Sequence, residues 1–233
     1  MTDTPQVGIV LTDVDGTLVD NEHHPIPASA EVICRVAARI PFCLVSARSP
    51  EGLYPIQRQL GFAGPMACFS GAYVLDHEGN ELYSSVIPTA DALEIKRYLE
   101  GELPRICAAT YGFHHWIVDD RSDPRIVREE YFVQAQSVES RDLAGTFGDG
   151  GVHKFLLMGE PKDIVAAQAT VAARYPDLNV VRSNDIDMLM AVEQSYAMAN
   201  GEDSVKQAAA HVVPWTNEEC GVARMLQRQV LGE

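Results

Sequence analysis

Short apolar runs and helical stretches alternate along the first third of the chain. Val7 to Leu11 is an apolar run rich in β-branched residues, the pattern of a buried strand. A loop over 12–27 follows. Val32, Ile33, Val36 and Ala37 recur at helical spacing and predict a helix from Ser29 to Ile40. Phe42 to Val45 predicts a second buried strand. Ser49-Pro50 supplies a capping hydroxyl and then a proline at the first helical position, so a helix should run to about Leu60 and stop at Gly61. Met66 to Phe69 predicts a third strand. Strand, helix, strand, helix, strand implies a parallel sheet with helices on its faces.

The pattern then changes. Ala72 to Leu75 and Glu81 to Val86 flank Gly79-Asn80 and predict a hairpin. Thr89 to Glu100 has the spacing of an amphipathic helix. Arg105 to Tyr111 and Phe113 to Val118 predict a hairpin turning near Gly112. Val152 to Met158 reads as a strand, Lys162 to Tyr175 as a helix and Leu178 to Arg182 as a strand. Hairpins mixed with helices indicate an α+β unit inserted into the first domain. Helical pattern returns after Asp187, over Ser204 to Ala210 and Glu218 to Arg228. There are no internal repeats. The expected organisation is an α/β core over 1–86 and 181–233 with an inserted unit over 87–180.

Composition adds exclusions. The 233 residues are 46% hydrophobic and 22% charged, an ordinary globular balance. The formal net charge of -15 opposes contact with nucleic acid or anionic lipid, so neither is an expected partner. An anionic small substrate would need a local positive site, most simply a bound cation. Cys34, Cys43, Cys68, Cys107 and Cys220 are odd in number, widely spaced and without a C-x-x-C pair, which argues against a disulfide framework or a zinc site. The polar start, MTDTPQ, has no basic region leading into a long apolar one. No stretch reaches membrane-spanning length, and a reducing cytoplasm is the expected location.

The stretch Thr12-Asp13-Val14-Asp15-Gly16-Thr17-Leu18 carries the chemistry. Residues two apart in an extended chain point the same way, so Asp13 and Asp15 can face one site. Open α/β sheets place ligands at the C-terminal ends of their strands. Gly16 permits a tight turn that brings backbone N–H groups to a phosphate. Two carboxylates at this spacing also suit a hard divalent cation. The competing reading is a pair of solvated loop aspartates, but D-x-D-G-T-L directly after an apolar strand is more specific than a bare D-x-D.

Asp13-Val14-Asp15-Gly16-Thr17 resembles the first motif of haloacid dehalogenase superfamily phosphatases. The resemblance implies a Rossmann-like core with an inserted α+β cap. It implies that Asp13 attacks phosphorus to form an aspartyl-phosphate, while Asp15 protonates the leaving oxygen and then activates water. Mg²⁺ would shield the phosphate charge. Ser46, in Leu44-Val45-Ser46-Ala47-Arg48, is similar to the second motif. The tail narrows the family. Asn184-Asp185-Ile186-Asp187-Met188-Leu189, Ala197-Met198-Ala199-Asn200-Gly201, Val205-Lys206 and Glu219-Cys220-Gly221-Val222-Ala223 resemble the end of Cof-type sugar phosphatases. Phe69-Ser70-Gly71-Ala72-Tyr73 does too, with Ser70 where that group usually has Asn. The expected substrate-binding set is Gly16, Thr17, Ser46, Arg48 and Asn184, and the expected Mg²⁺ ligands are Asp13, Asp15 and Asp185.

The resemblance breaks in one place. The fourth family motif reads G-D-x-x-N-D, but Val180 and Val181 stand where its Gly-Asp should be. No segment between Leu178 and Asn184 supplies the third motif, a Lys opening a helix. An internal deletion of a core helix and strand accounts for both. Lys154 is a weak substitute, since it sits on a predicted strand. The expected function is hydrolysis of small phosphorylated metabolites. The rivals are an impaired remnant that binds metal or phosphate without efficient turnover, a receiver-like domain and a phosphomutase. The adjacent pairs His23-His24 and His114-His115 are read as loop and cap residues, and 148–151 as a plain loop.

Overall fold

The computed structural model describes residues 7–181 and 186–233. The chain divides into two compact units, Met1–Tyr83 with Asn184–Glu233, and Ser84–Ser183.

The first unit begins with the predicted alternation. Its elements are β1 (Val10–Thr12), α1 (Pro27–Ala37), β2 (Phe42–Val45), α2 (Pro50–Leu60), β3 (Met66–Cys68), β4 (Tyr73–Leu75) and β5 (Glu81–Ser84). They form one sheet in the order β1-β2-β3-β4-β5. β1, β2 and β3 are parallel, and β4 turns back against β3. The local signals for α2 act as the sequence implies. The Ser49 side chain accepts from the Gly52 N–H at 3.3 Å, Pro50 opens the first turn, and Gly61 stops the helix in the left-handed conformation at φ 75°. Leu53, Ile56 and Leu60 are buried along one face of α2, and Val32, Ile33 and Val36 along one face of α1. Gln57 ties the end of α2 to the sheet by donating to the Gly64 carbonyl at 2.7 Å.

β1 departs from expectation. Its apolar run predicts a buried strand, yet β1 is an edge of this sheet, with Ile9 49% and Leu11 37% exposed. A run of apolar residues records that a strand suits burial on both faces. It does not supply the neighbour that would complete that burial.

The rest of the first unit is fragmentary: α7 (Ile186–Met190), β10 (Tyr196–Ala197), α8 (Asp203–Ala208), β11 (His211–Val212) and α9 (Gly221–Leu226), then a π-helical turn over Gln227–Leu231. β10 and β11 pair in parallel as a separate two-stranded sheet. These two strands were not evident in the sequence, because two residues are too few to show a period. α9 packs on α1 and buries Val222, Ala223 and Leu226.

The second unit contains α3 (Thr89–Glu102), β6 (Cys107–Gly112), β7 (His115–Val118), α4 (Pro124–Val133), β8 (Val138–Glu139), α5 (Leu143–Phe147), β9 (Lys154–Met158) and α6 (Pro161–Arg174). Its sheet runs β8-β7-β6-β9, mostly antiparallel. Ala92, Ile117, Leu143, Phe147 and Val152 form one apolar cluster, and Ile95, Leu99 and Val171 another. α4 and α5 were not anticipated.

The β6–β7 hairpin turns directly after Gly112, near where the sequence places it: Phe113 takes φ 52° and Gly112 stays in register opposite His115. The segment expected as a strand from Leu178 to Arg182 is not one over 178–181; Arg182 lies outside the described residues. Leu178 and Val180 instead pack against the Ile95–Leu99–Val171 cluster, and the Val180 carbonyl accepts from Gln168 Nε2 at 3.3 Å. The apolar alternation there serves side-chain burial without a ladder.

Candidate active site

Register decides the site. Thr12 of β1 stands opposite Leu44 of β2, so both strands run out at the same edge. Asp13 follows immediately on one, and Ser46 lies one residue beyond the end of the other. This is the C-terminal edge of the parallel strands, where open α/β sheets bind ligands.

Beyond Asp13 the chain folds into a tight turn. The N–H groups of Thr17, Leu18 and Val19 all point at the Val14 carbonyl, at 3.2, 2.9 and 3.2 Å. Gly16 makes this turn at φ 75°, in the left-handed region that favours glycine. Val14, Leu18 and Val19 are buried and anchor it, leaving Asp13 half-buried and Asp15 at the surface of the loop. The far end of the chain braces the turn. Asn200 Nδ2 donates to the Gly16 carbonyl at 2.9 Å, Asn217 N–H donates to Asn200 Oδ1 at 3.0 Å, and buried Asn217 donates to the Val19 carbonyl at 2.9 Å. The tail resemblance contained Asn200, but its contact across 184 residues of sequence has no local signal.

Ser46 is buried. Its Oγ accepts the Arg48 N–H at 3.2 Å, and its carbonyl accepts from Ser70 N–H at 2.9 Å. Ser70 holds φ 57°, within the Phe69–Tyr73 stretch of family likeness. Arg48, its side chain only 6% exposed, reaches Asp15 with a forked contact: Nε to Oδ2 at 3.0 Å and Nη2 to Oδ1 at 2.6 Å. His23 Nδ1 lies 3.1 Å from the same Oδ1. An ionised carboxylate only accepts, so this nitrogen carries the proton. Burial pushes the Asp15 carboxyl up, but the hydrogen bonds and charge of Arg48, with those of His23, outweigh it and hold the group below its usual range.

The structure therefore brings Asp13, Asp15, Gly16, Thr17, Ser46 and Arg48 onto one edge. Arg48, expected among substrate-binding residues, is engaged with Asp15. His23, read from sequence as a loop residue, joins the site, and nothing in its spacing distinguished it from His24. Asn184 and Asp185 lie outside the described residues. Lys154 is on β9 in the other unit, its ammonium 5.7 Å from the Tyr111 ring centre. Among the described residues no group of three or more His, Cys, Asp or Glu side chains is placed to hold a metal ion. No helix among them is long and apolar enough to cross a membrane.

The family description "haloacid dehalogenase-like hydrolase" matches residues 10–183 and 182–226. The chain belongs to the haloacid dehalogenase-like hydrolases. The match to this hydrolase family comes in two stretches that overlap at 182–183, just after Val180-Val181. A protein of Haemophilus influenzae named "Putative phosphatase" is 28% identical, covering 94% of this chain and 97% of that protein. That comparison spans 262 positions, more than the 233 residues present here. A haloacid dehalogenase-like hydrolase from Bacteroides thetaiotaomicron shares the fold at TM-score 0.83 and 20% identity, over 96% of this chain and 99% of that one. BT1666 of the same organism, described among phosphatases of this superfamily, superposes at TM-score 0.69 with 18% identity, over 98% and 97%.

Proposed function

We propose that this hydrolase cleaves small phosphate monoesters, sugar phosphates among them, through a covalent phosphate on Asp13. The observation that carries the reading is the strand register, which sets the Asp13 carboxylate and the Ser46 motif at one sheet edge. A carboxylate oxygen of Asp13 attacks phosphorus as the bond to the leaving oxygen breaks. Asp15 delivers a proton to that oxygen, then takes one from the water that hydrolyses the acyl-phosphate. Arg48 keeps Asp15 ionised at rest, which suits the second step. For the first, the proton comes to Asp15 from a His23 imidazolium on the same carboxylate, leaving neutral His23, and the proton that Asp15 later takes from water returns to His23. The second unit is proposed as the substrate cap.

Mg²⁺ belongs to the proposal as the charge-shielding ion, with Asp13 and Asp185 as its carboxylates. The described residues do not by themselves make that site. Asp15, expected as a third ligand, has its carboxylate committed to Arg48 and His23.

A second reading, an impaired catalyst, is favoured by the divided family match and by β1 standing at the sheet edge. Losing one oriented charge that stabilises the transition state costs about 3 kcal/mol, roughly a hundredfold in rate. Steady-state kinetics over a panel of phosphorylated metabolites, with Mg²⁺ titrated, tests both. Turnover that saturates at low Mg²⁺ concentration supports the efficient phosphatase. Turnover about a hundredfold higher in a version with the missing helix and strand restored supports the impaired one. No turnover with either version on any ester overturns the function.

A further inference from the structure

The last helix of the core unit carries a cationic cleft that the proposed chemistry does not use. Arg224 on α9 and Arg228 on the π-helical turn are four residues apart. Like charges at that spacing repel each other on a helix. Trp215 holds them together instead, with the Arg224 guanidinium carbon 5.5 Å and that of Arg228 4.5 Å from its ring centre. Among the described residues neither guanidinium enters an ion pair or donates a hydrogen bond.

The two arginines, Trp215, Gln227 and Glu233 line a cavity of about 350 Å³, within the size range of small-molecule sites. Glu233 is the acidic member of the wall, and its carboxylate is already taken by both terminal nitrogens of Arg35. The nearby Glu219 carboxylate is likewise engaged, by the N–H and hydroxyl of Thr216 at 3.0 and 3.2 Å. Arg224 acts on Glu219 only through longer-range attraction, so among the described residues two guanidinium groups without a carboxylate in ion-pair contact concentrate in a chain whose net charge is -15. The backbone gives a second indication. π-helical turns are rare and frequently mark functional sites. This one spans Gln227–Leu231, so it sets the positions of Gln227 and Arg228 in the cleft.

The geometry points to a binding site for a phosphoryl dianion in this cleft, with the two guanidinium forks as its donors and Gln227 as a third. Stacking on the indole leaves guanidinium edges free, and paired forks match phosphate oxygens in number and charge. The anion comes either free, as inorganic phosphate, or on a small phosphate ester.

The test uses the full chain in an Asp13→Asn, Trp116→Phe background. That background prevents hydrolysis through Asp13 and leaves Trp215 as the sole tryptophan. Its emission is followed against inorganic phosphate, and separately against glucose 6-phosphate, with chloride holding ionic strength constant. The expected result is a saturable change with a Kd below about 1 mM, weakened at least tenfold by Arg224→Gln with Arg228→Gln. Tighter binding of phosphate assigns the site to the free anion, and tighter binding of glucose 6-phosphate assigns it to the ester. If Trp116→Phe does not fold, calorimetry on Asp13→Asn against the same protein with both arginine changes reads the same loss. A response that stays linear to about 50 mM, or one the arginine changes leave intact, overturns the site.

Discussion

In the core unit, distant parts of the chain meet through polar side chains: Asn217 on the Val19 carbonyl and Asn200 on that of Gly16. In the inserted unit the sheet of β8, β7, β6 and β9 packs against two apolar clusters that share α3 and Phe155. Apolar packing is non-directional and tolerates adjustment. Hydrogen bonds fix individual atoms. The core unit uses the directional kind where Asp13 and Asp15 must be placed, on a loop whose sheet ends at an exposed strand. The lesson is that the catalytic loop is held by a few specific bonds across the sequence, added to the apolar burial that both units share.

The largest expected effect tests the chemistry without the scaffold. Asp13→Asn should lower any phosphatase turnover by about 10⁴-fold while leaving both units as stable as before. Equal turnover in the mutant would refute the role of Asp13. Asp15→Asn should cost about 10² to 10⁴ in rate, most for poor leaving groups, which need protonation.

Arg48→Gln comes next. It removes the fork on Asp15, so the carboxyl pKa should rise and the acid limb of the pH–rate profile should move to higher pH. Because Asp15 is 42% exposed, the stability change should be small, within about 1 kcal/mol. An unmoved acid limb would mean that Arg48 does not control Asp15.

Asn217→Ala sharpens the comparison directly. It leaves the buried Val19 carbonyl unpaired and should destabilise the core unit by about 1–3 kcal/mol. Denaturant unfolding, followed by hydrogen exchange in each unit, should show the loss in 7–83 and not in 84–181. A uniform loss across both would break the comparison.

The inserted unit has polar contacts of its own, Thr89 Oγ1 on the Gly148 carbonyl and Arg125 on those of Arg105 and Met158 among them, and one of them titrates. His153 Nδ1 accepts the Phe113 N–H at 3.0 Å, and Nε2 lies 3.0 Å from Ser84 Oγ. Burial pushes this imidazole down to about 4. Between that value and the usual 6.5 the unfolded chain binds a proton that the folded one refuses, so stability rises with pH across this window. From pH 6.5 down to 5 this one group should remove at most about 2 kcal/mol. His153→Gln keeps a donor and an acceptor but does not titrate, and should lose less on the same shift. An unchanged acid sensitivity would show that His153 is not its source.

The smallest effect concerns β1. An edge strand with Ile9 and Leu11 exposed should promote self-association at high concentration, read by sedimentation, and Leu11→Lys should reduce it without altering turnover; sedimentation as a monomer at every concentration would show that the edge does not associate.

The sequence alone fixed what is local. Ser49-Pro50 and Gly61 bound α2 because capping and left-handed geometry act within one turn. The D-x-D-G-T-L stretch announced the family because its spacing along an extended chain is itself the chemistry. The family match divides at 182–183, just beyond Val180-Val181, where the sequence lacks the Gly-Asp of the fourth motif. Tertiary structure decided whatever depends on a neighbour. β1 has the composition of a buried strand, but burial needs a strand beside it, and none is paired there among the described residues. Leu178 and Val180 carry a strand's alternation yet spend it on packing. Arg48 and His23 converge on Asp15 from 33 and 8 residues away, and Asn217 reaches Val19 across 198. Hydrogen bonds of that span leave no period or spacing in a single sequence, because only the fold brings donor and acceptor together.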